Sequence, residues 1–158
     1  MTREEKLLQI SSHTETEIKG FCGDYFFLSN MYPCHINWLS EIFKSVESAY
    51  QASKFFENDI IEQFTNITGY EAKALARKYK KHIRPDWEIV KVNIKKQLIF
   101  QKFLLHEDLQ SKLCNTLDRY LEETNYWNDS FWGVCDNEGE NMLGKILMDT
   151  RNYFMYQL

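Results

Sequence analysis

Glu47, Gln51 and Lys54 are the residues whose types and spacing best suit catalysis. They lie in Ser45-Val-Glu-Ser-Ala-Tyr-Gln-Ala-Ser-Lys54. If this segment is helical, with about 100° per residue, Glu47 and Lys54 nearly eclipse and Gln51 lies about 40° from Glu47. Tyr50 flanks the same face. An acid, an amide and an amine thus form one polar stripe that could carry acid–base or nucleophilic chemistry. The same stripe also fits an exposed helix face with weak side-chain pairs.

Glu47 falls in the first turn of this predicted helix, where the positive end of the helix dipole favours a carboxylate. An ionised glutamate suits the role of a base, a nucleophile or a stabiliser of an oxocarbenium ion better than that of a general acid. On the opposite side of the helix, Val46, Ala49 and Phe56 are expected to face the core.

A second group of polar and aromatic residues lies in 127–133 and 139–144, two stretches that are expected to form loops. Asp129 could serve as a second carboxylate or anchor a ligand hydroxyl. Asn141 lies close to the start of the last helix, where backbone N–H groups can receive a phosphate. Alternatively, both side chains are simple loop and helix caps.

The elements that must position these residues are short strands followed by helices. Aromatic and β-branched runs predict strands at 16–21, 25–28, 35–38 and 41–43, with the last two pairing over Leu39-Ser40. Helices are expected over 45–57, 59–66, 68–80, 85–103, 107–117 and a closing segment from 142 to 154, and 118–140 is expected to be irregular. A short helical extension capped by Thr2 precedes them. The predicted fold class is α+β, a helix-rich single domain with a small antiparallel sheet near the N-terminus.

Charge is distributed unevenly along the 158-residue chain, whose formal net charge is −4. Residues 73–102 hold ten basic residues against only Asp86 and Glu88. This stretch fits solvated lysine faces on helices, a local anion site for phosphates, or a basic stripe that binds nucleic acid. The negative total argues against a protein that coats nucleic acid non-specifically. The aromatic content of 15% fits a core of large rings, some of which could line a cleft for a flat base.

Other catalytic and targeting patterns are poorly matched. The four cysteines and four histidines are scattered without metal-ligand spacing, and no nucleophile elbow or phosphate-binding glycine loop occurs. We therefore expect metal-independent hydrolysis by carboxylates, without a cofactor. The chain shows no signal peptide or membrane span, so reduced thiols and a cytoplasmic location are expected.

Several segments resemble, in order, those of the NADAR domain family of YbiA-like N-glycosidases. The similar segments are Phe21–Pro33, Ser45–Lys54, Ala72-Lys73, Arg84–Glu88 with Lys91, Lys102-Phe103, Leu121–Glu123, Asn128–Gly133 and Gly139–Met148. Met31 and Ser48 depart from the family pattern, and the second departure could alter hydrogen bonding beside Glu47. The resemblance implies an N-terminal extension over 1–18 and a NADAR domain over 19–158.

The resemblance also implies hydrolysis of the bond between ribose C1′ and a base or amine nitrogen. The implied substrates are phosphoribosylamino-pyrimidine intermediates of riboflavin biosynthesis or ADP-ribosylated guanine, the latter with ADP-ribosylated nucleic acid as a partner. The implied catalytic residues are Glu47, Lys54 and Asp129. The candidate substrate-binding residues are Asn30, Tyr50, Gln51, Lys73, Arg84, Trp87, Trp132, Gly133, Asn141 and Gly144. Lys73 and Arg84 are the candidates for phosphate contact, and Trp87 or Trp132 could stack on the base.

The sequence alone leaves two mechanisms and one non-enzymatic function open. Glu47 could activate water while Asp129 orients hydroxyls, or Lys54 could form a Schiff base with an opened ribose while Glu47 shuttles protons. The alternative is a catalytically silent module that binds ADP-ribose or a related nucleotide. The sequence indicates no oligomeric state.

Overall fold

The computed structural model describes residues 1–156, which form seven α-helices and seven short strands. The helices are α1 (Arg3–Ile10), α2 (Val46–Ala52), α3 (Asn58–Ile61), α4 (Gly69–Lys78), α5 (Trp87–Leu105), α6 (Glu107–Cys114) and α7 (Met142–Tyr156). The strands are β1 (Ser12–His13), β2 (Glu17–Lys19), β3 (Ile36–Trp38), β4 (Glu41–Phe43), β5 (Tyr120–Glu122), β6 (Thr124–Asn125) and β7 (Val134–Cys135). This α+β, helix-rich architecture confirms the fold class. Residues 157 and 158, which the expected domain includes, lie outside the described residues.

The first of two compact units combines Met1–Ser29 with the chain from Glu107 onward. Strand β2 pairs antiparallel with β1 and parallel with β5, so the small sheet is mixed. Helix α7 packs on β5 and α6 packs on α7. The buried core of this unit includes Ile18, Leu121, Leu143, Ile146 and Leu147. Burying these aliphatic side chains provides the main driving force for this packing.

The second unit, Asn30–His106, is built around α2. This helix packs against α4, α5 and the antiparallel hairpin of β3 and β4. All seven of its residues are buried, so it is a central helix rather than a surface one. The polar stripe of Glu47 and Gln51 therefore lies inside the protein, and the alternative of an exposed helix face is wrong.

Several predicted boundaries were wrong for identifiable reasons. Residues 25–28 form part of a 3₁₀ helix, Gly23–Leu28, because their aromatic content reflects burial of Phe27 and Leu28 rather than extended backbone. Helix α2 ends at Ala52 instead of about Glu57, and Phe56, expected in the core, is 62% exposed. The cap of α5 is Asp86, so Pro85 precedes the helix. The irregular stretch 118–140 contains β5, β6 and β7, which are too short to show an alternating pattern.

The turn of the β3–β4 hairpin confirms the predicted pairing but carries backbone strain. Leu39 and Ser40 have φ angles of 53° and 62°. Two consecutive positive φ values are the mark of a type I′ turn, which favours Asn-Gly because side chains such as leucine are disfavoured there. Neither residue is buried.

We expect the double substitution Leu39→Asn, Ser40→Gly to stabilise the protein by about 1 kcal/mol, because it removes strain of left-handed non-glycine residues. The midpoint of urea unfolding measures this. Ser130→Gly, at an exposed loop position outside the hairpin, serves as a control for a general effect of glycine. An unchanged or lower midpoint in the double variant would contradict the turn assignment.

Candidate active site

Glu47 is fixed at the N-terminus of α2 by backbone contacts. Ser45 caps the helix, since its side chain accepts a hydrogen bond from Ser48 N at 3.1 Å. The backbone N–H of Glu47 donates to the carbonyl of Asn30 at 3.0 Å. The Glu47 side chain is almost fully withdrawn from solvent. A carboxylate in such a place requires polar partners within the protein.

Gln51 supplies one of these partners. Its Nε2 donates to Oε1 of Glu47 at 2.7 Å, across one turn of α2. Its Oε1 is buried and has no hydrogen-bond partner within residues 1–156. A buried amide oxygen of this kind costs free energy unless a donor reaches it. The Gln51 oxygen is therefore well suited to accept a hydrogen bond from a ligand hydroxyl or amine.

Lys95, on α5, supplies the charge that faces Glu47. Its Nζ lies 3.7 Å from Oε2 of Glu47 and 3.6 Å from the centroid of the Tyr50 ring. Lys95 is only 2% exposed. The Tyr50 ring in turn packs against Trp87 with centroids 5.0 Å apart. The carboxylate thus has an ammonium ion beside it and an aromatic pair next to that ion.

Lys54 lies just beyond α2, with its Nζ 5.7 Å from the centroid of the Trp87 ring. Burial lowers the pKa of Lys54, and the carboxylates of Glu47 and Glu88 oppose this. The cations Lys73 and Arg77, one turn apart on α4, lower the pKa further. The lysine therefore releases its proton at lower pH than an ordinary lysine, which favours nucleophilic chemistry.

Of the two residues expected to contact phosphate, only Lys73 belongs to this charge cluster. Arg84 donates two hydrogen bonds to the carboxylate of Asp86, at 2.6 and 2.8 Å, and its guanidinium lies 4.5 Å from the centroid of the Phe56 ring. The pairing with Asp86 raises the pKa of Arg84. Arg77 is a cation near Lys54 that the sequence reading did not single out.

The remaining predicted residues belong to the first unit, where Asp129 acts as a loop cap. Its Oδ1 accepts hydrogen bonds from the backbone N–H groups of Phe131 at 3.2 Å and Trp132 at 2.9 Å. The Trp132 ring meets the Phe131 ring edge-on at 4.9 Å. The Asp129 carboxylate thus fixes the loop that presents Trp132.

Asn141 and two glycines hold β5 and its neighbours together. The buried Asn141 side chain donates to the carbonyl of Leu121 at 2.9 Å and accepts from the N–H of Glu123 at 3.0 Å. A Cβ on Gly144 would lie 2.2 Å from the Leu121 carbonyl oxygen, and one on Gly133 would lie 2.1 Å from that of Glu123. These contacts give Asn141, Gly133 and Gly144 structural roles.

The structure thus brings most predicted side chains of the second unit together around Glu47.

Lys95 and Gly69 were not identified from the sequence as part of this site. The buried α5 residues Leu98, Ile99 and Phe103 lie on one helical face, and the same spacing places Lys95 and Lys102 on it. This periodicity could have identified Lys95. Gly69 could not be found from the sequence, because its role depends on the contact between α4 and α2.

Other site types receive no support from the described part of the chain. Within residues 1–156, no three histidine, cysteine or acidic side chains cluster as metal ligands. The four cysteines are thiols. No helix in that range has the length and apolar character needed to cross a membrane.

An enclosed carboxylate beside a desolvated lysine is an arrangement suited to acid–base or nucleophilic catalysis. The NADAR domain model matches residues 17–155, which include most of both units, and the chain belongs to the NADAR domain family. The chain is 38% identical to the N-glycosidase Npun_R5314 of Nostoc punctiforme over 80% of this chain and 84% of that protein. It is 35% identical to the riboflavin biosynthesis protein VVA0006 of Vibrio vulnificus over 79% of this chain, and the match covers 34% of that protein.

The solved structure of YbiA from Escherichia coli, determined by NMR, is similar throughout. It aligns with a TM-score of 0.79 and 26% identity over 99% of this chain and 95% of that chain. The curated protein of that organism is named N-glycosidase YbiA and is 26% identical over 94% of both chains. The family and fold implied by the sequence motifs are therefore confirmed.

Gly69 provides a direct test of how Glu47 is positioned. A Cβ at this position would lie 2.9 Å from Cβ of Glu47 and 2.5 Å from Sδ of Met31. The flexible Met31 can move, whereas Glu47 is tied to its helix. We expect Gly69→Ala to displace the carboxylate and to lower turnover about 100-fold. Steady-state kinetics, with circular dichroism as a check on folding, measure this.

Ala74→Gly is the matched control, because it changes one methyl group at an exposed position of the same helix. It should lower stability by about 1 kcal/mol and leave turnover unchanged. Equal turnover in Gly69→Ala and wild type would show that close packing of α4 does not position Glu47.

Proposed function

We propose that this chain is an N-glycosidase that hydrolyses the bond between ribose C1′ and a base or amine nitrogen. The observation that carries the proposal is the Glu47 carboxylate, enclosed and hydrogen-bonded to Gln51, with Lys54 nearby. The names of the Nostoc punctiforme and Escherichia coli relatives support this class of reaction. The four thiols fit a reducing compartment, and we propose the cytoplasm.

The proposed substrates carry a ribose phosphate and a planar heterocycle. Phosphoribosylamino-pyrimidines are one candidate class, supported by the name of the Vibrio vulnificus relative. ADP-ribosylated guanine, as a free base or within nucleic acid, is the other. Lys73 and Arg77 on α4 provide positive charge for a phosphate, the Gln51 oxygen can accept from a ribose hydroxyl, and Trp87 offers a ring face for stacking.

In the first mechanism, the Glu47 carboxylate is the general base that activates a water molecule. The carboxylate accepts a proton as the water oxygen bonds to C1′ and the C1′–N bond breaks, with the electron pair leaving on the nitrogen. That nitrogen takes a proton from a neighbouring acid, for which the Lys54 ammonium is our candidate. The negative charge of Glu47 stabilises the positive charge that develops on the ribose.

In the second mechanism, Lys54 acts as a nucleophile on the opened ribose. Its neutral amine bonds to C1′, the substrate nitrogen departs with a proton relayed by Glu47, and the resulting imine is hydrolysed by water. The products are the free amine and the ribose aldehyde. The lowered pKa of Lys54 supports this route, because the neutral amine is present at lower pH than for a solvated lysine. The rate should therefore rise with pH through that lowered pKa.

A module that binds ADP-ribose without turnover is the competing function. Binding alone does not require a carboxylate withdrawn from water beside a desolvated amine. Burying both groups costs free energy of folding, because each loses its hydration. This cost favours an enzyme, because catalytic groups are commonly held in such environments.

Replacing Glu47 by Gln tests the enzyme directly. We expect wild-type protein to release ribose phosphate or ADP-ribose from at least one proposed substrate class. Glu47→Gln should lower that rate about 100- to 10,000-fold, because it removes the base while preserving shape. Chromatography of the released base and sugar measures it. Glu62→Gln, an exposed glutamate, is the control. Ligand binding by wild type without any release would instead establish the binding module.

Borohydride reduction separates the two mechanisms. If Lys54 forms an imine, reduction during turnover should leave a stable sugar adduct on Lys54, detected by mass spectrometry of peptides. Lys54→Arg should give no adduct, whereas Lys80→Arg at an exposed position should label normally. Turnover without any trapped adduct would exclude the lysine route and leave attack by water.

A further inference from the structure

Two lysines lie near Glu47, but only one of them pairs with it. Lys95 approaches the carboxylate to 3.7 Å from α5. Lys54 makes no ion pair within the described residues, although Glu47 is the carboxylate that most favours its charged form. The two amines therefore compete for one carboxylate, and the geometry favours Lys95.

Two groups beside Lys95 offset the cost of burying an ammonium ion. The side chain is 2% exposed, so losing its partners would leave a cation in a dry environment. The Glu47 carboxylate provides the opposite charge, and the Tyr50 ring, 3.6 Å from Nζ, provides a negative π face. Because α5 is a continuous helix over Trp87–Leu105, Lys95 is held at a fixed depth beside α2.

The other charged groups around Lys54 do not replace Glu47 as its counter-ion. Lys73 and Arg77, from α4, repel the ammonium form. Glu88, from the first turn of α5, attracts it but is ion-paired with Lys91 at 2.5 Å. Glu47, from α2, is thus the carboxylate best able to hold a proton on Lys54, and it is engaged by Lys95.

We propose that Lys95 is a positioning residue that binds Glu47 as its counter-ion and thereby leaves the Lys54 ammonium without an ion-pair partner of its own, so that Lys54 releases its proton more readily. Lys95 touches neither substrate nor product in this role and acts through Glu47 alone. The inference deepens the proposed N-glycosidase function and rests on it for its consequence in turnover. The state of the two amines itself can be measured without a substrate.

Lysine side-chain NMR in wild-type protein gives the first test. The ¹³Cε shifts report protonation of each amine, and the signals are assigned from their loss in Lys54→Arg and Lys95→Arg. Lys54 should titrate at lower pH than Lys95. Titration of Lys95 before Lys54 would overturn the proposal. The titration itself is carried out on the wild-type protein, and the two charge-preserving variants serve only for assignment.

Substitution of Lys95 gives the second test. In Lys95→Met, Glu47 is released to face Lys54, so the fraction of uncharged Lys54 at neutral to mildly alkaline pH should fall about tenfold. The rising limb of the pH–rate profile should move to higher pH, with kcat affected more than KM. Lys95→Arg keeps the charge and should restore the wild-type profile. Lys96→Met, which removes an exposed positive charge from the same helix, should change nothing.

The double variant Glu47→Gln, Lys95→Met shows whether the effect passes through Glu47. Lys54 should titrate in it as in Glu47→Gln alone, because Lys95 has no carboxylate left to engage. An equal shift in both backgrounds, or an unchanged Lys54 in folded Lys95→Met, would overturn the proposal. A Lys95-dependent titration of Lys54 without hydrolysis of any substrate would instead remove the proposed function alone.

Discussion

A carboxylate on a helix whose residues are all buried has to find its solvation within the protein. Glu47 obtains it from an amide N–H of Gln51 and from the ammonium of Lys95, on two different helices. Water would solvate both ions better, so this pair contributes little to net stability even though breaking it is costly. The main effect of the pair is to fix the relative positions of α2 and α5. Once α2 carries a buried anion, α5 must carry the matching cation at one particular depth, and the packing of the second unit is organised around that requirement.

The same constraint explains the small residues and caps nearby. Ser45 satisfies an N–H of the first turn of α2, and Gly69 lets the start of α4 approach the Glu47 methylenes. A side chain at position 69 would force the two helices apart and loosen the carboxylate. Ser45 and Gly69, which look minor in the sequence, therefore set the position of the Glu47 carboxylate. This matters for the proposed reaction, since catalysis is sensitive to displacements of about an ångström.

Local patterns were enough to predict α2, its cap at Ser45, the shared face of Glu47 and Gln51, and the β3–β4 hairpin, because each depends on residues close in sequence. They were insufficient for anything set by packing between distant segments. The burial of α2, the contact at Gly69 and the pairing of β5 with β2 depend on segments far apart in the chain. Lys95 was missed because lysine in a basic stretch resembles a solvated residue, although its spacing from Leu98 and Ile99 indicated an inward face. The sequence left Asp129 and Asn141 open between ligand binding and capping. The Asp129 side chain does cap its loop, whereas the Asn141 side chain bonds to the backbone of Leu121 and Glu123 instead of capping α7, and their roles in ligand binding stay predictions.

Two amines lie near one carboxylate, and only Lys95 forms an ion pair with it within the described residues. The two lysines therefore differ in how readily they lose a proton. Lys95 is enclosed and lies 3.7 Å from the Glu47 carboxylate, which favours its charged form. Lys54 is half-buried, is repelled by Lys73 and Arg77, and gives up its proton more readily. In the proposed site, one lysine would stabilise the anion while the other would be available to attack C1′ of the opened ribose or to pass a proton to the leaving nitrogen. An isolated Glu–Lys pair could not do both, because the mutual attraction that keeps the glutamate charged would also hold the proton on the lysine.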